Sequence, residues 1–133
     1  MAAIKRDGKT KDMWFPKVAS TAISANSFVK FDGSGHVTPC VSTDATILGV
    51  YEGPAIASSD ATNSLIKITV PIERAVEWTV DVEAGTLTAA SVGVTFDLQD
   101  ATGVNQGGTS HNPVTCTAFL SASKGVFTFA PVL

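Results

Sequence analysis

Ser64-Leu65-Ile66-Lys67-Ile68-Thr69-Val70-Pro71-Ile72 is followed, two residues later, by Ala75-Val76-Glu77-Trp78-Thr79-Val80-Asp81-Val82. In the first run Ile66, Ile68 and Val70 fall on one face and Leu65, Lys67 and Thr69 on the other. In the second, Val76, Trp78, Val80 and Val82 stand together while Glu77, Thr79 and Asp81 face away. A period of two belongs to a half-buried β-strand, and the same apolar residues make no stripe at helical spacing. Two consecutive strands are therefore expected, with Trp78 anchoring a core.

The rest of the chain extends this pattern. Upstream, Ser27 to Phe31 runs into Asp32-Gly33-Ser34-Gly35 and returns as His36 to Val41, a hairpin signal, because glycine supplies the positive φ of tight turns. Thr46 to Tyr51 is an apolar, β-branched run stopped by Glu52-Gly53-Pro54, and Gly49 within it points to a bulge or a close backbone approach. The small polar residues between Ala55 and Ser64 read as an exposed loop. Downstream, Glu83-Ala84-Gly85 turns into Thr86 to Thr88, Val92 to Leu98 reads as a strand, and Asp100 to Asn112 reads as a long glycine-rich loop. Pro113 to Leu120 and Lys124 to Phe129 close the sequence as strands, Phe127 and Phe129 sharing a face. The fold class expected is all-β: one small antiparallel β-barrel or β-sandwich of about eight or nine strands. Residues 1–16 are expected as an extended N-terminal arm and 17–133 as the β domain, with neither repeats nor low-complexity sequence.

The arm differs from the body in charge. Lys5, Arg6, Lys9, Lys11 and Lys17 outweigh Asp7 and Asp12, so residues 1–17 carry +3 and the remainder −6 of a net −3. An acidic body lacks the many phosphate contacts that nucleic-acid binding requires, and basic residues do not interleave with aromatics on any strand. Met1 to Asp12 has no periodicity and reads as flexible. Met13-Trp14-Phe15-Pro16 then places three large apolar side chains at the junction, a patch expected to dock on its own domain or on a partner. Only 16% of residues are charged, well under the usual quarter, and a neutral polar surface suits packing against neighbours, where each buried charge needs a partner. No apolar run approaches the roughly 18 residues of a membrane span, and no signal peptide is recognisable, so a soluble protein made in the cytoplasm is expected.

Catalytic signals are missing. His36 follows a turn glycine and His111 lies in a loop, neither beside a partner motif, and nucleophile elbows, phosphate loops and zinc-helix motifs are absent. Glu77, Asp81 and Glu83 share a polar strand face, which solvation explains. Asp97, Asp100 and Asn105 match no calcium loop, and turn formation is the simpler role. Cys40 and Cys116 lie far apart without Cys-x-x-Cys spacing; buried free thiols are the favoured reading, with a disulfide left open. No enzyme activity, cofactor or metal is therefore expected.

The stretch Val29-Lys30-Phe31-Asp32-Gly33-Ser34-Gly35-His36-Val37-Thr38-Pro39-Cys40, continued by Ile47-Leu48-Gly49-Val50-Tyr51-Glu52-Gly53, resembles the opening of tailed-bacteriophage head decoration proteins, also called capsid cement proteins. Ala84-Gly85-Thr86-Leu87-Thr88 with Val92 to Leu98 is similar to their later half, so the resemblance covers most of residues 23–130. It implies a β-rich protein on the outer surface of the virion's capsid, assembled in the host cytoplasm, often as a trimer, with the major capsid protein as partner and no nucleic-acid or membrane partner. It also implies an N-terminal segment lying across neighbouring subunits, so that Lys5, Arg6, Lys9 and Lys11 meet acidic capsid surface while Met13, Trp14 and Phe15 serve as apolar contacts. The alternative is a fibre- or knob-type module whose Ser/Thr/Asn-rich loops recognise host-surface glycan or protein.

Overall fold

The computed structural model describes residues 3–73 and 76–133. The expectations for residues 1, 2 and 75 lie outside the described residues. Among them run eleven strands: β1 (Ala3–Asp7), β2 (Thr10–Pro16), β3 (Ser27–Phe31), β4 (Val37–Pro39), β5 (Gly49–Tyr51), β6 (Leu65–Pro71), β7 (Glu77–Ala84), β8 (Thr95–Asp100), β9 (Gly103–Asn105), β10 (Val114–Ser121) and β11 (Lys124–Thr128). One turn of 3₁₀ helix, Ala89–Ser91, interrupts them. The protein is all-β.

Strands β7, β11, β10, β8 and β9 form a closed ring, because β9 pairs back onto β7. That closing ladder is parallel, Asp81 opposite Gly103 and Val82 opposite Val104, whereas the other ladders are antiparallel. The free half of the same β7 edge takes β1, with Lys5 opposite Trp78 and Ala3 opposite Val80. The second sheet runs β2-β6-β5-β3-β4. It curls until the chain just past β2 meets β4, where Val18 N–H donates to the Val37 carbonyl at 3.0 Å.

Each unit encloses apolar side chains chosen by alternation. Val76, Trp78, Val80 and Val82 point into the barrel with Phe96, Leu98, Val104, Val114, Cys116 and Phe127. Ile66, Ile68 and Val70 point into a second cluster with Ile23, Val29, Val37 and Leu48. Strand β3 joins the two: Phe28 belongs to the first cluster and Val29 to the second. Trp78 is fully buried and stacks on Phe129 at 5.8 Å, although its indole N–H finds no acceptor among the described residues. Leaving such a donor unpaired costs about 1–3 kcal/mol, which the burial of so large a ring offsets.

Several expectations change. The N-terminal segment is extended but not free, since β2 is paired with β6 along its whole length, from Thr10 opposite Pro71 to Pro16 opposite Leu65. The missing periodicity of its first residues reflects β1 and the start of β2, which are exposed on nearly every side chain, so that neither face is selected for burial there. Lys17, counted with the basic arm, is fully buried, and its ammonium donates to the Asp60 carbonyl at 3.0 Å beside the Asp60 carboxylate at 3.7 Å. The loop expected over 100–112 contains β9, too short to show a pattern. Val92 and Gly93 are not strand. Val94 N–H closes a turn to the Ser91 carbonyl, and Gly93, at φ +86°, opens a bulge in which Gly93 and Val94 together face Cys116.

Candidate interaction surface

The N-terminal candidates divide by strand geometry. On β2 Met13 and Phe15 face inward and pack on the second cluster, Phe15 meeting Phe31 edge-on at 5.1 Å. Trp14 faces the other way and is 61% exposed. Its neighbours on that outer face follow from the register, in which Asp12 lies opposite Thr69, Trp14 opposite Lys67 and Pro16 opposite Leu65. Leu65 is 62% exposed, so an indole and an isobutyl group stand uncovered side by side on adjacent strands. Lys5 and Arg6 on β1 and Lys9 and Lys11 around the Gly8 turn are all exposed, and Lys5 donates to the Thr10 hydroxyl at 3.0 Å. The structure thus leaves Trp14 and the four basic side chains exposed along the β1–β2 segment and packs Met13 and Phe15, partly buried, against the core.

An open cleft of about 510 Å³ lies against Trp14. Its far wall is the chain after β5, where Tyr51 donates its hydroxyl to the Pro54 carbonyl at 2.6 Å and Glu52 accepts a short hydrogen bond from the Thr69 hydroxyl. Thr69 is the cross-strand partner of Asp12, so the Asp12 and Glu52 carboxylates both border it. Lys67 reaches Asp12 at 3.9 Å, with both side chains more than half exposed. Sequence reading missed Leu65, Lys67 and Glu52 as parts of this surface. A signal for Leu65 existed, because it is the apolar residue on the polar face of its strand.

Two carboxylate arrangements lie elsewhere. Asp97 is buried at the foot of the 108–112 loop and accepts backbone N–H groups from Ser110 at 3.1 Å, His111 at 2.6 Å and Asn112 at 2.8 Å. Burial pushes its carboxyl up, but these three donors and the nearby His111 ring outweigh that and hold it below the ordinary aspartate value. At the barrel seam, the Thr102 hydroxyl lies 2.8 Å from Asp100 Oδ1 and 3.1 Å from Glu83 Oε1. Burial first, and then the hydrogen bond and charge of Asp100, push Glu83 up to about 7. Asp100 stays low, because the hydrogen bonds it accepts from Glu83, Thr102 and Gly103 outweigh its own burial. His36 stays at the β3–β4 turn, its Nδ1 3.2 Å from the Ser34 hydroxyl. Cys40 and Cys116 are buried free thiols, and burial pushes the Cys40 thiol up to about 12.

Among the described residues no cluster of three or more histidine, cysteine or acidic side chains is placed to hold a metal ion, and no helix is long and apolar enough to cross a membrane. The exposed Trp14 face is thus the feature with the clearest capacity for recognition. No protein-family model matches the chain, and neither a curated protein nor a solved structure matches it.

Proposed function

We propose that this protein is a structural decoration protein of a tailed-bacteriophage head, binding the outer surface of the shell through its N-terminal edge and stabilising it. The observation that carries the reading is the uncovered pair Trp14 and Leu65 on the paired strands β2 and β6. Large aromatic side chains dominate the energetics of protein contacts when they become fully desolvated, and charges at the rim steer encounter. Here Lys5, Arg6, Lys9 and Lys11 supply the basic rim for acidic shell surface. The all-β scaffold and the resemblance carried by residues 23–130 support the same reading. On it, copies bind the major capsid protein and associate as trimers.

Mixing the purified protein with undecorated heads tests this reading by co-sedimentation. Binding should saturate at a fixed number of copies per shell. Trp14→Ala should weaken it about thirty-fold, the effect of losing roughly 2 kcal/mol at a hot spot, with the fold intact because the indole is outside the core. Wild-type affinity in that variant would sink the proposal. Charge reversal at Lys5, Arg6, Lys9 and Lys11 is a cleaner test of the basic rim than deleting residues 2–16, since deletion removes β1 and β2. An exposed indole flanked by carboxylates is also a platform on which a sugar ring stacks, which favours the alternative of a knob-type module reading host-surface glycan. Sedimentation with host cells in place of heads would select that alternative.

A further inference from the structure

We propose that the Trp14 cleft receives one basic side chain of the partner, arginine in preference to lysine, with the indole as its stacking face and the Asp12 and Glu52 carboxylates as its counter-charges. The inference rests on the preceding reading only for which protein presents that side chain.

Three features of the cleft point to a cation. The first is charge. Asp12 and Glu52 face Lys67 as the sole cation among the described residues lining the cleft, leaving one negative charge in excess. Glu52 has no basic partner among the described residues; the one hydrogen bond its carboxylate accepts there is from the Thr69 hydroxyl, to Oε1, which orients the group and leaves Oε2 without one. The 3.9 Å approach of Lys67 to Asp12 joins two solvated side chains and contributes little, so Lys67 yields readily to an incoming group. The second is the indole. Trp is the strongest aromatic partner for a cation, and a planar guanidinium can stack on it while donating two hydrogen bonds to a carboxylate, which an ammonium group cannot match. The third is the apolar lining. Leu65 and Pro54 give the methylene stem of the guest a surface to lie on. A neutral sugar would use the ring but leave the excess charge uncompensated. An acidic group would be repelled.

The molecule carries its own reporter. It has two tryptophans, Trp14 at 61% exposure and Trp78 fully buried, so their indole N–H resonances separate the cleft from the core. Titrating ¹⁵N-labelled protein with the blocked tripeptide Gly-Arg-Gly should give a saturable millimolar shift of the Trp14 signal, with Trp78 unmoved. Gly-Lys-Gly should bind more weakly and Gly-Glu-Gly should leave the signal in place. The double variant Asp12→Asn, Glu52→Gln should lose about ten-fold in affinity for the arginine peptide, the Trp78 resonance reporting that the fold is kept. An unmoved Trp14 signal in the wild type, or equal affinity in the double variant, overturns the proposal. A saturable response to methyl glycosides without one to arginine also overturns it and assigns the cleft to glycan. Arginine binding by protein that ignores phage heads would keep the cleft assignment and remove the shell as partner. Shell binding undiminished in the double variant would remove the cation and keep the shell.

Discussion

Asp97 illustrates how a side chain read as a turn former can organise a whole loop. Its carboxylate collects three consecutive N–H groups, from Ser110, His111 and Asn112, and Asn112 itself takes a positive φ of 53°. These donors face inward and have no strand to pair with, so the carboxylate replaces a ladder. Asp97→Ala would leave them without their acceptor, and a loss of about 2–3 kcal/mol is expected in urea unfolding, with faster amide exchange across 108–112. Because the folded carboxyl titrates below the ordinary aspartate value near 3.8, its contribution is present above that value. It is lost as the pH falls through the lower folded value. The wild type and Asp97→Ala should therefore converge in stability in strong acid, and a constant gap would contradict this account.

At the level of elements, β5 is held by space. Gly49 opens the strand opposite Val29, and a β-carbon there would run into the Thr69 carbonyl and lie 2.9 Å from Ile68 Cγ2. The close approach read from the sequence is thus between β5 and β6, whose one paired position is Val50 opposite Thr69. Gly49 does not need positive φ, so alanine is conformationally allowed and only packing opposes it. Gly49→Ala should destabilise the protein by about 3 kcal/mol, the upper range for overpacking, and a loss under 0.5 kcal/mol would show that the sheet gives way instead. Thr69 also orients Glu52, so the same variant should perturb the Trp14 resonance. The β1–β2 segment shows a related point: its edges carry Lys5, Arg6, Lys9 and Lys11, charges that protect unpaired backbone from uncontrolled strand addition.

For the whole molecule, closure of the barrel places a proton-sensitive contact at its seam. Where strand β9 pairs with β7, Gly103 packs against Glu83, and the Glu83 carboxyl there meets Asp100 from β8. A group whose folded pKa is raised above its unfolded value stabilises at low pH and loses that contribution as the pH rises. For Glu83 the loss runs from about 4.5 to about 7. The Asp100 contribution is lost only below its ordinary value near 3.8, so the two windows do not overlap. The wild type should show a falling urea midpoint between pH 5 and pH 8, and Glu83→Gln, a permanent donor to Asp100, should flatten that fall. Parallel profiles for the two proteins would rule out Glu83 as its source.

The alternation of Ile66 to Val70 and of Val76 to Val82 was enough to establish an all-β chain with Trp78 at its centre, and the same rule, applied to Met13-Trp14-Phe15, separates the outward indole from its inward neighbours. What alternation cannot express is adjacency. A period of two tells each strand which face to bury, but ladder hydrogen bonds are made by backbone groups that are alike at every residue, so the choice of neighbour is left to the packed whole. Only the tertiary structure therefore decided that β9 closes the barrel in parallel against β7 and that Ala3–Asp7 and Thr10–Pro16 are sheet. It also decided that Lys17 is buried against Asp60 and that Glu52 and Asp12, 40 positions apart in the numbering, border the same indole.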